Sequence, residues 1–255
     1  MALQLHQFPC LDDNYGFLIH DPSSGATATV DTPEVGPIEA ALEEKGWQLT
    51  HILNTHHHFD HAGGNEALKQ RWNCTIVGAA SDAHRIPGID VKVFDGDTYE
   101  FGNSQARVFE VPGHTIGHIA FYFAEDSAAF VGDTMFALGC GRLFEGSPEQ
   151  MWDSLSKLMA LPDETLVYCA HEYTQANAAF ALSVEPGNDD LQARVKEIAN
   201  LRAQGIPTVP TTIGRERATN PFVRATSADL QATIGLIGSD PVVVFAETRK
   251  RKDNF

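Results

Sequence analysis

Four imidazoles and a carboxylate are packed into six residues of the stretch Thr55-His56-His57-His58-Phe59-Asp60-His61, directly after an apolar run. Protonated, such a cluster would repel itself. Neutral imidazole and carboxylate instead suit zinc, iron or manganese, so a bound metal resolves an otherwise unfavourable arrangement. The preceding Leu49-Thr50-His51-Ile52-Leu53-Asn54 reads as a short buried strand, and Ala62-Gly63-Gly64-Asn65-Glu66-Ala67-Leu68 as a tight turn entering a helix. The ligand cluster is therefore expected on a strand-to-helix loop. Side chains two apart in an extended segment face the same way, so His56 and His58 can grip one ion while His57 points elsewhere. Asp60 and His61, beyond the bend, can reach another.

Three later segments have the same setting. Residues 106–111 run into Pro112-Gly113-His114, residues 128–131 into Gly132-Asp133, and residues 166–170 into His171. Each reads as a strand delivering one ligand to a common edge. Together with His56, His58, Asp60 and His61, the residues His114, Asp133 and His171 make seven candidate ligands. Seven suffice for two ions with one carboxylate shared, and Asp133 is the expected bridge.

The pattern formed by His56, His58, Asp60 and His61 matches the HxHxDH motif, and here the chain resembles the metallo-β-lactamase superfamily. The resemblance implies His56, His58 and His114 on one metal, Asp60, His61 and His171 on the other, and Asp133 between them. A finer resemblance, to glyoxalase II, the hydroxyacylglutathione hydrolases, rests on Asp13-Asn14-Tyr15, on the run from Gly139 to Gly146 (GCGRLFEG) and on His171-Glu172-Tyr173-Thr174. Thr219-Asn220-Pro221-Phe222 and the tail from Arg249 to Phe255 (RKRKDNF) extend it over nearly the whole chain. It implies a glutathione site made by Arg142, Tyr173, Arg249 and Lys252. An Arg fork or a Lys point charge is the expected device for a carboxylate such as glutathione's glycyl end. Phe144 departs from the pattern, standing where some members have a tyrosine, so the hydrogen bond of that hydroxyl is absent here.

On this reading two divalent ions, zinc with iron or manganese as alternatives, lower the pKa of a shared water from about 15.7 to about 7 and so supply hydroxide at neutral pH. Asp60 and Asp133 are the expected catalytic residues, orienting the nucleophile besides binding metal. The resemblance implies S-D-lactoylglutathione as substrate and D-lactate and glutathione as products, the second step of methylglyoxal detoxification. Glutathione persulfide dioxygenase, or another hydrolase of the same fold, is the alternative; the basic tail and a helical extension favour the thioesterase. A noncatalytic metal-dependent binding module would typically have lost part of the ligand set, which here is intact.

Composition bounds the partners. The formal charge of −16 disfavours nucleic acid and anionic membranes while permitting a small anionic substrate near bound dications and the cations at 249–252. No stretch approaches eighteen consecutive apolar residues and the start has no signal-like core, so a soluble, cytoplasmic monomer is expected. Cys10, Cys74, Cys140 and Cys169 show no CxxC spacing and are expected as reduced, buried thiols, Cys140 lining the site without attacking.

The elements that must position these residues follow from periodicity. Strands are expected at 3–8, 16–20, 26–31, 49–54, 74–77, 91–94, 106–111, 118–123, 128–131 and 165–169. Helices fit 38–45, 65–71 and 148–160, the last opened by a Ser147/Gln150 capping box. From His171 the texture becomes helical, with 174–184, a stripe of Leu191, Val195, Ile198 and Leu201, and a last helix capped by Asp240-Pro241. That helix is expected to carry Val244 and Phe245 inward and the basic tail outward. The fold class is thus α+β: a metallo-β-lactamase-like αββα sandwich over residues 1–170, with the metals at one edge, and a smaller helical substrate-binding domain over 171–255. His118 and His57 are expected to serve behind the ligands, Asp31 either to support them or to form a turn, and Asn14 and Tyr15 to be structural or to shape the cleft.

Overall fold

A computed structural model of the chain describes residues 2–255. They divide into two compact units, residues 2–110 with Ile116–Gly132, and Val111–Thr115 with Asp133–Phe255.

The first unit holds a six-stranded mixed sheet of β1 (Gln4–Cys10), β2 (Asn14–His20), β3 (Thr27–Val30), β4 (His51–Leu53), β5 (Thr75–Ala79) and β6 (Val91–Val93), in that spatial order. β1 to β3 pair antiparallel and β3 to β6 parallel. Parallel neighbours need crossovers: the helix α1 (Val35–Lys45) joins β3 to β4, the helices α2 (Phe59–Ala62) and α3 (Asn65–Trp72) join β4 to β5, and residues 80–90, with a single short 3-10 turn, join β5 to β6. A second layer contains β7 (Thr98–Phe101), β8 (Ser104–Glu110), β9 (Ile119–Phe123) and β10 (Ala128–Gly132), paired antiparallel in the order β10-β9-β8-β7.

Successive residues of β2 show how the layers stack. Leu18 joins the core with Ile38 and Leu42 of α1, Ile52, Leu68 of α3 and Ile76. Phe17, on the opposite face, meets Phe130 of β10 at a 5.7 Å ring separation. Strand side chains alternate faces, so the first sheet has helices on one side and the second sheet on the other. All four residues of β3 and all five of β10 are buried, which explains the continuous apolar run of β10.

The second unit opens with the short strands β11 (Met135–Phe136) and β12 (Gly139–Cys140), which pair with each other. It continues with α4 (Pro148–Met159), β13 (Leu166–Cys169), α5 (Thr174–Val184), α6 (Asp189–Ala203), β14 (Thr211–Thr212), α7 (Ile213–Thr219), α8 (Ala228–Ile234) and α9 (Pro241–Asp253). α4 begins with the expected capping box: the Ser147 hydroxyl accepts from Gln150 N, and the Gln150 side chain accepts from Ser147 N. α5 and α6 bury Ala178, Ala181, Leu191 and Ile198 against Leu138. Asp240 caps α9 through Val242 N, and Val244 and Phe245 are buried as expected. A buried Arg194–Glu216 pair at 2.5 Å, joined by Thr211 and Thr219, stands at the heart of this unit. Glu216 also accepts from Leu138 N and from Asn220, whose amide donates to Gly139 O. The loop through 136–140 is thereby fixed by side chains more than seventy residues away in sequence.

Several elements went unanticipated. β7 alternates exposed Thr98 and Glu100 with Tyr99 and buried Phe101, but over four residues the alternation is too short to stand out. α7 and α8 have seven residues each, too few for a visible stripe, although Ser227 and Gly235 cap α8 in an ordinary way. α2 falls on the HxHxDH stretch itself, where ligand residues displace the pattern of a helix. Among the described residues no helix is long and apolar enough to cross a membrane.

Candidate metal centre and substrate site

β4 ends at Leu53, and the backbone then carries Thr55 to His58 into α2, placing the cluster on the strand-to-helix connection. His56 and His61 are buried. His56 Nε2 lies 3.1 Å from His58 Nδ1, while His57 turns away to Asp82 Oδ2 at 2.9 Å. Asp60 Oδ2 lies 3.5 Å from His61 Nε2 and accepts from Asn14 Nδ2 at 3.1 Å.

Behind the cluster stands Asp31. Its Oδ1 accepts from Thr55 N at 2.7 Å, and its Oδ2 accepts from the Thr55 hydroxyl and from His61 Nδ1, both at 2.8 Å. The Thr55 proton being committed to Asp31, its oxygen is left to accept from His56 Nδ1 at 3.1 Å. Both histidines then carry their proton on Nδ1 and turn a basic Nε2 inward, the tautomer that ligation through Nε2 needs. Asp31 also takes φ 59°, so supporting the ligands and forming a turn are one role here. His118 is buried and stacked on His56 at 4.6 Å. Gly132, just before Asp133, has no room for a side chain: a Cβ would lie 2.5 Å from Thr55 Oγ1 and 2.8 Å from His118.

In the second unit, His114 Nδ1 donates to the carbonyl of Arg142 at 2.9 Å. A carbonyl can only accept, so this histidine too offers Nε2. Asp133 directs Oδ2 toward His114 Nε2 and Oδ1 toward His171 Nε2, each at 3.4 Å, so its two oxygens serve different histidines. The ring of Tyr173 stacks on His171 at 4.7 Å and 4°, and Phe136 meets both edge-on. The loop keeps close to its ligands: a Cβ on Gly141 would fall 2.1 Å from the Asp133 carbonyl oxygen.

Three overlapping groups of the expected ligands have donor atoms within 4.8 Å of one another: His56, His58 and His114; His56, His61 and Asp133; Asp60, His61 and His171. All seven residues are included. The donor chemistry fits divalent cations, since inward-facing imidazole nitrogens in a buried setting repel one another until a cation takes their lone pairs.

Arg142 has 66% of its side chain exposed, and Phe144, 63% exposed, sets its ring 5.1 Å from His114. Lys252 Nζ donates to Ala176 O at 3.2 Å and lies over the rings of Phe180 and Phe255; burial and the neighbouring Arg249 and Arg142 push its pKa down. Arg249 corrects the expectation of an outward basic tail. It is buried, with Nη1 donating to Cys140 O at 2.9 Å, Nε and Nη2 to Asp253 Oδ1, and its guanidinium over Phe222. A carbonyl, a carboxylate and an aromatic face together replace the water the guanidinium loses. The pairing of Asp253 with Arg249 was masked in the sequence because Asp253 directly follows four basic residues; its spacing of four from Arg249 was the available signal. The four cysteines are free and buried, and burial raises the Cys140 thiol to about 11 and the Cys169 thiol to about 12. Both remain thiols at neutral pH, in keeping with Cys140 as a lining residue.

Two facing sheets, with grouped histidine and aspartate side chains that follow strand ends, define a metallo-β-lactamase domain; the metallo-beta-lactamase superfamily model matches residues 16–171. The model "Hydroxyacylglutathione hydrolase C-terminus" matches residues 172–255. A "Hydroxyacylglutathione hydrolase" of Methylococcus capsulatus is 58% identical over 253 residues, covering 99% of each chain, and one of Maricaulis maris 56% identical with the same coverage. The chain belongs to the hydroxyacylglutathione hydrolase family, glyoxalase II, of the metallo-β-lactamase superfamily. Among solved structures, ETHE1 from Myxococcus xanthus superposes with a TM-score of 0.67 at 26% identity, over 99% of this chain and 98% of that one. Fold and His/Asp groups together indicate a dinuclear metal site.

Proposed function

We propose that the seven grouped residues hold two divalent ions, zinc with iron or manganese as alternatives, and that the chain uses them to hydrolyse S-D-lactoylglutathione to D-lactate and glutathione. As a family member matched along its whole length, the chain is a thioester hydrolase, a hydroxyacylglutathione hydrolase. The observation that carries the finer reading is the presence, in one chain, of a complete grouped ligand set and a C-terminal segment of the hydroxyacylglutathione hydrolase type. The persulfide dioxygenase alternative is not favoured by relatives above 50% identity across the chain.

When bound, such a pair of ions supplies an ionised water near pH 7 and a Lewis acid for the thioester oxygen. The protein's part is preorganisation. Asp31 and the Arg142 carbonyl fix the tautomers of His61 and His114, and Asn14 holds the Asp60 carboxylate. Asp60 and Asp133 are assigned the orientation of the attacking water besides binding metal. A thiolate leaves readily, so no separate general acid is demanded. We assign the glutathione moiety to Arg142, Tyr173, Arg249 and Lys252, and divide the chain into a catalytic domain, 1–170, and a helical substrate-binding domain, 171–255. A cytoplasmic monomer acting on a small thioester, without nucleic acid or membrane partners, completes the reading.

The test is thiol release from S-D-lactoylglutathione by protein of measured metal content. Release is expected to scale with two metals per chain; fully metallated protein that leaves the thioester intact sinks the assignment. Replacing Arg249 and Lys252 together by alanine should raise KM about tenfold or more with a smaller change in kcat, because the glycyl end lies far from the reacting bond and binds alike in ground and transition states. Steady-state kinetics check this, and a loss confined to kcat contradicts the binding role.

A further inference from the structure

The cations assigned to the substrate's carboxylate already have a carboxylate among them. Asp253 Oδ1 accepts from Arg249 Nη2 at 2.8 Å and Nε at 3.0 Å, and Arg142 Nε stands 3.9 Å from the same oxygen. Asp253 is also one of the charges that act on Lys252. Its side chain is 41% exposed, while Arg249 is buried beneath it.

We propose that Asp253 determines affinity in the substrate site as an internal carboxylate that competes with the glycyl carboxylate of the ligand; this rests on the reading above of Arg142, Arg249 and Lys252 as the glutathione site. The Nε/Nη2 edge of a guanidinium is the edge that pairs with a carboxylate through two parallel bonds, and here both donors converge on Asp253. An incoming carboxylate must displace that oxygen or share the edge with it, against the repulsion of a like charge. Arg249 does not need Asp253 to stay in place, since Cys140 O and the ring of Phe222 hold it from behind. The product thiol bears the same glycyl carboxylate as the thioester, so the competition weakens retention of both. Interactions of this kind act uniformly along the reaction and alter binding, not the chemical step.

The experiment compares the metal-loaded full chain with Asp253→Asn, which keeps an acceptor oxygen for Arg249 and removes the charge. For Asp253→Asn, KM for S-D-lactoylglutathione and Ki for glutathione are expected to fall together by about fivefold, as for a unit charge removed at close range in a solvated site. The effect shrinks at high salt. A thioester whose glycyl carboxylate is blocked as an amide shows no such change. Asp253→Ser, a second uncharged variant, moves KM and Ki the same way. Unchanged or raised KM and Ki in both variants, or an equal fall for the amide, overturns the proposal. Calorimetric Kd values for glutathione on the same proteins decide the role of Asp253 without turnover, so a wild-type chain that binds glutathione yet releases no thiol counts against the proposed activity alone.

Discussion

Asp133→Ala is expected to lower kcat/KM for the thioester by more than about 10³-fold, beyond the 10²–10³-fold typical of losing one transition-state donor. The reason is geometric. Each of its carboxylate oxygens stands 3.4 Å from a different histidine, so one substitution removes a charge from both His114 and His171. Metal content measured on the purified variant should fall below that of the wild type. Two metals retained with near-normal thiol release would remove Asp133 from the bridging position. Asp133→Asn separates charge from shape: it keeps an oxygen for one histidine and turns an amide toward the other, so activity should fall nearly as far.

The second large effect is expected at a residue assigned no contact with metal. Asp31→Asn should weaken metal affinity about 10- to 100-fold, the range seen when the outer hydrogen-bond partner of a ligating histidine is altered. Oδ1 could still accept from Thr55 N, but the new amide would face the Thr55 hydroxyl and the His61 Nδ1–H, both of which now donate to Oδ2. His61 would turn or change tautomer. Asp31→Ala should go further and destabilise the fold by about 3 kcal/mol or more, leaving buried donors without an acceptor and placing alanine at a left-handed φ of 59°. Competition with a chelator measures the first effect and chemical denaturation the second. An Asp31→Asn protein with unchanged metal affinity would show that the tautomers are set elsewhere.

What the sequence made legible was whatever repeats within a few residues or carries unmistakable chemistry. The runs before Asp133 and His171 are strands buried along nearly their whole length and announce themselves by composition, while the one before His114 alternates buried and exposed residues and is legible from its period of two. The helix at Thr174–Val184 and the capping box of α4 were visible for the same local reason. Long-range polar pairing left no local trace. The end of a strand left Asp31 open between supporting the ligands and forming a turn, with nothing to name Thr55 and His61 as its partners, and nothing near Glu216 points to Leu138. Arg249 shows the limit most clearly: four basic residues in a row suggest a solvated tail, yet one of them faces a carbonyl more than a hundred residues away.

Position 142 joins two tasks through chemically separate parts of one residue. Its carbonyl fixes the proton of His114, and its exposed guanidinium belongs to the outer rim. Main-chain oxygen is the same in every amino acid, so the side chain there, to which we assign the substrate's carboxylate, can be exchanged without disturbing the imidazole that the carbonyl anchors. Ligand preference and catalytic scaffolding can therefore drift independently at this position, which makes residue 142 a natural starting point for redesigning what this hydrolase accepts.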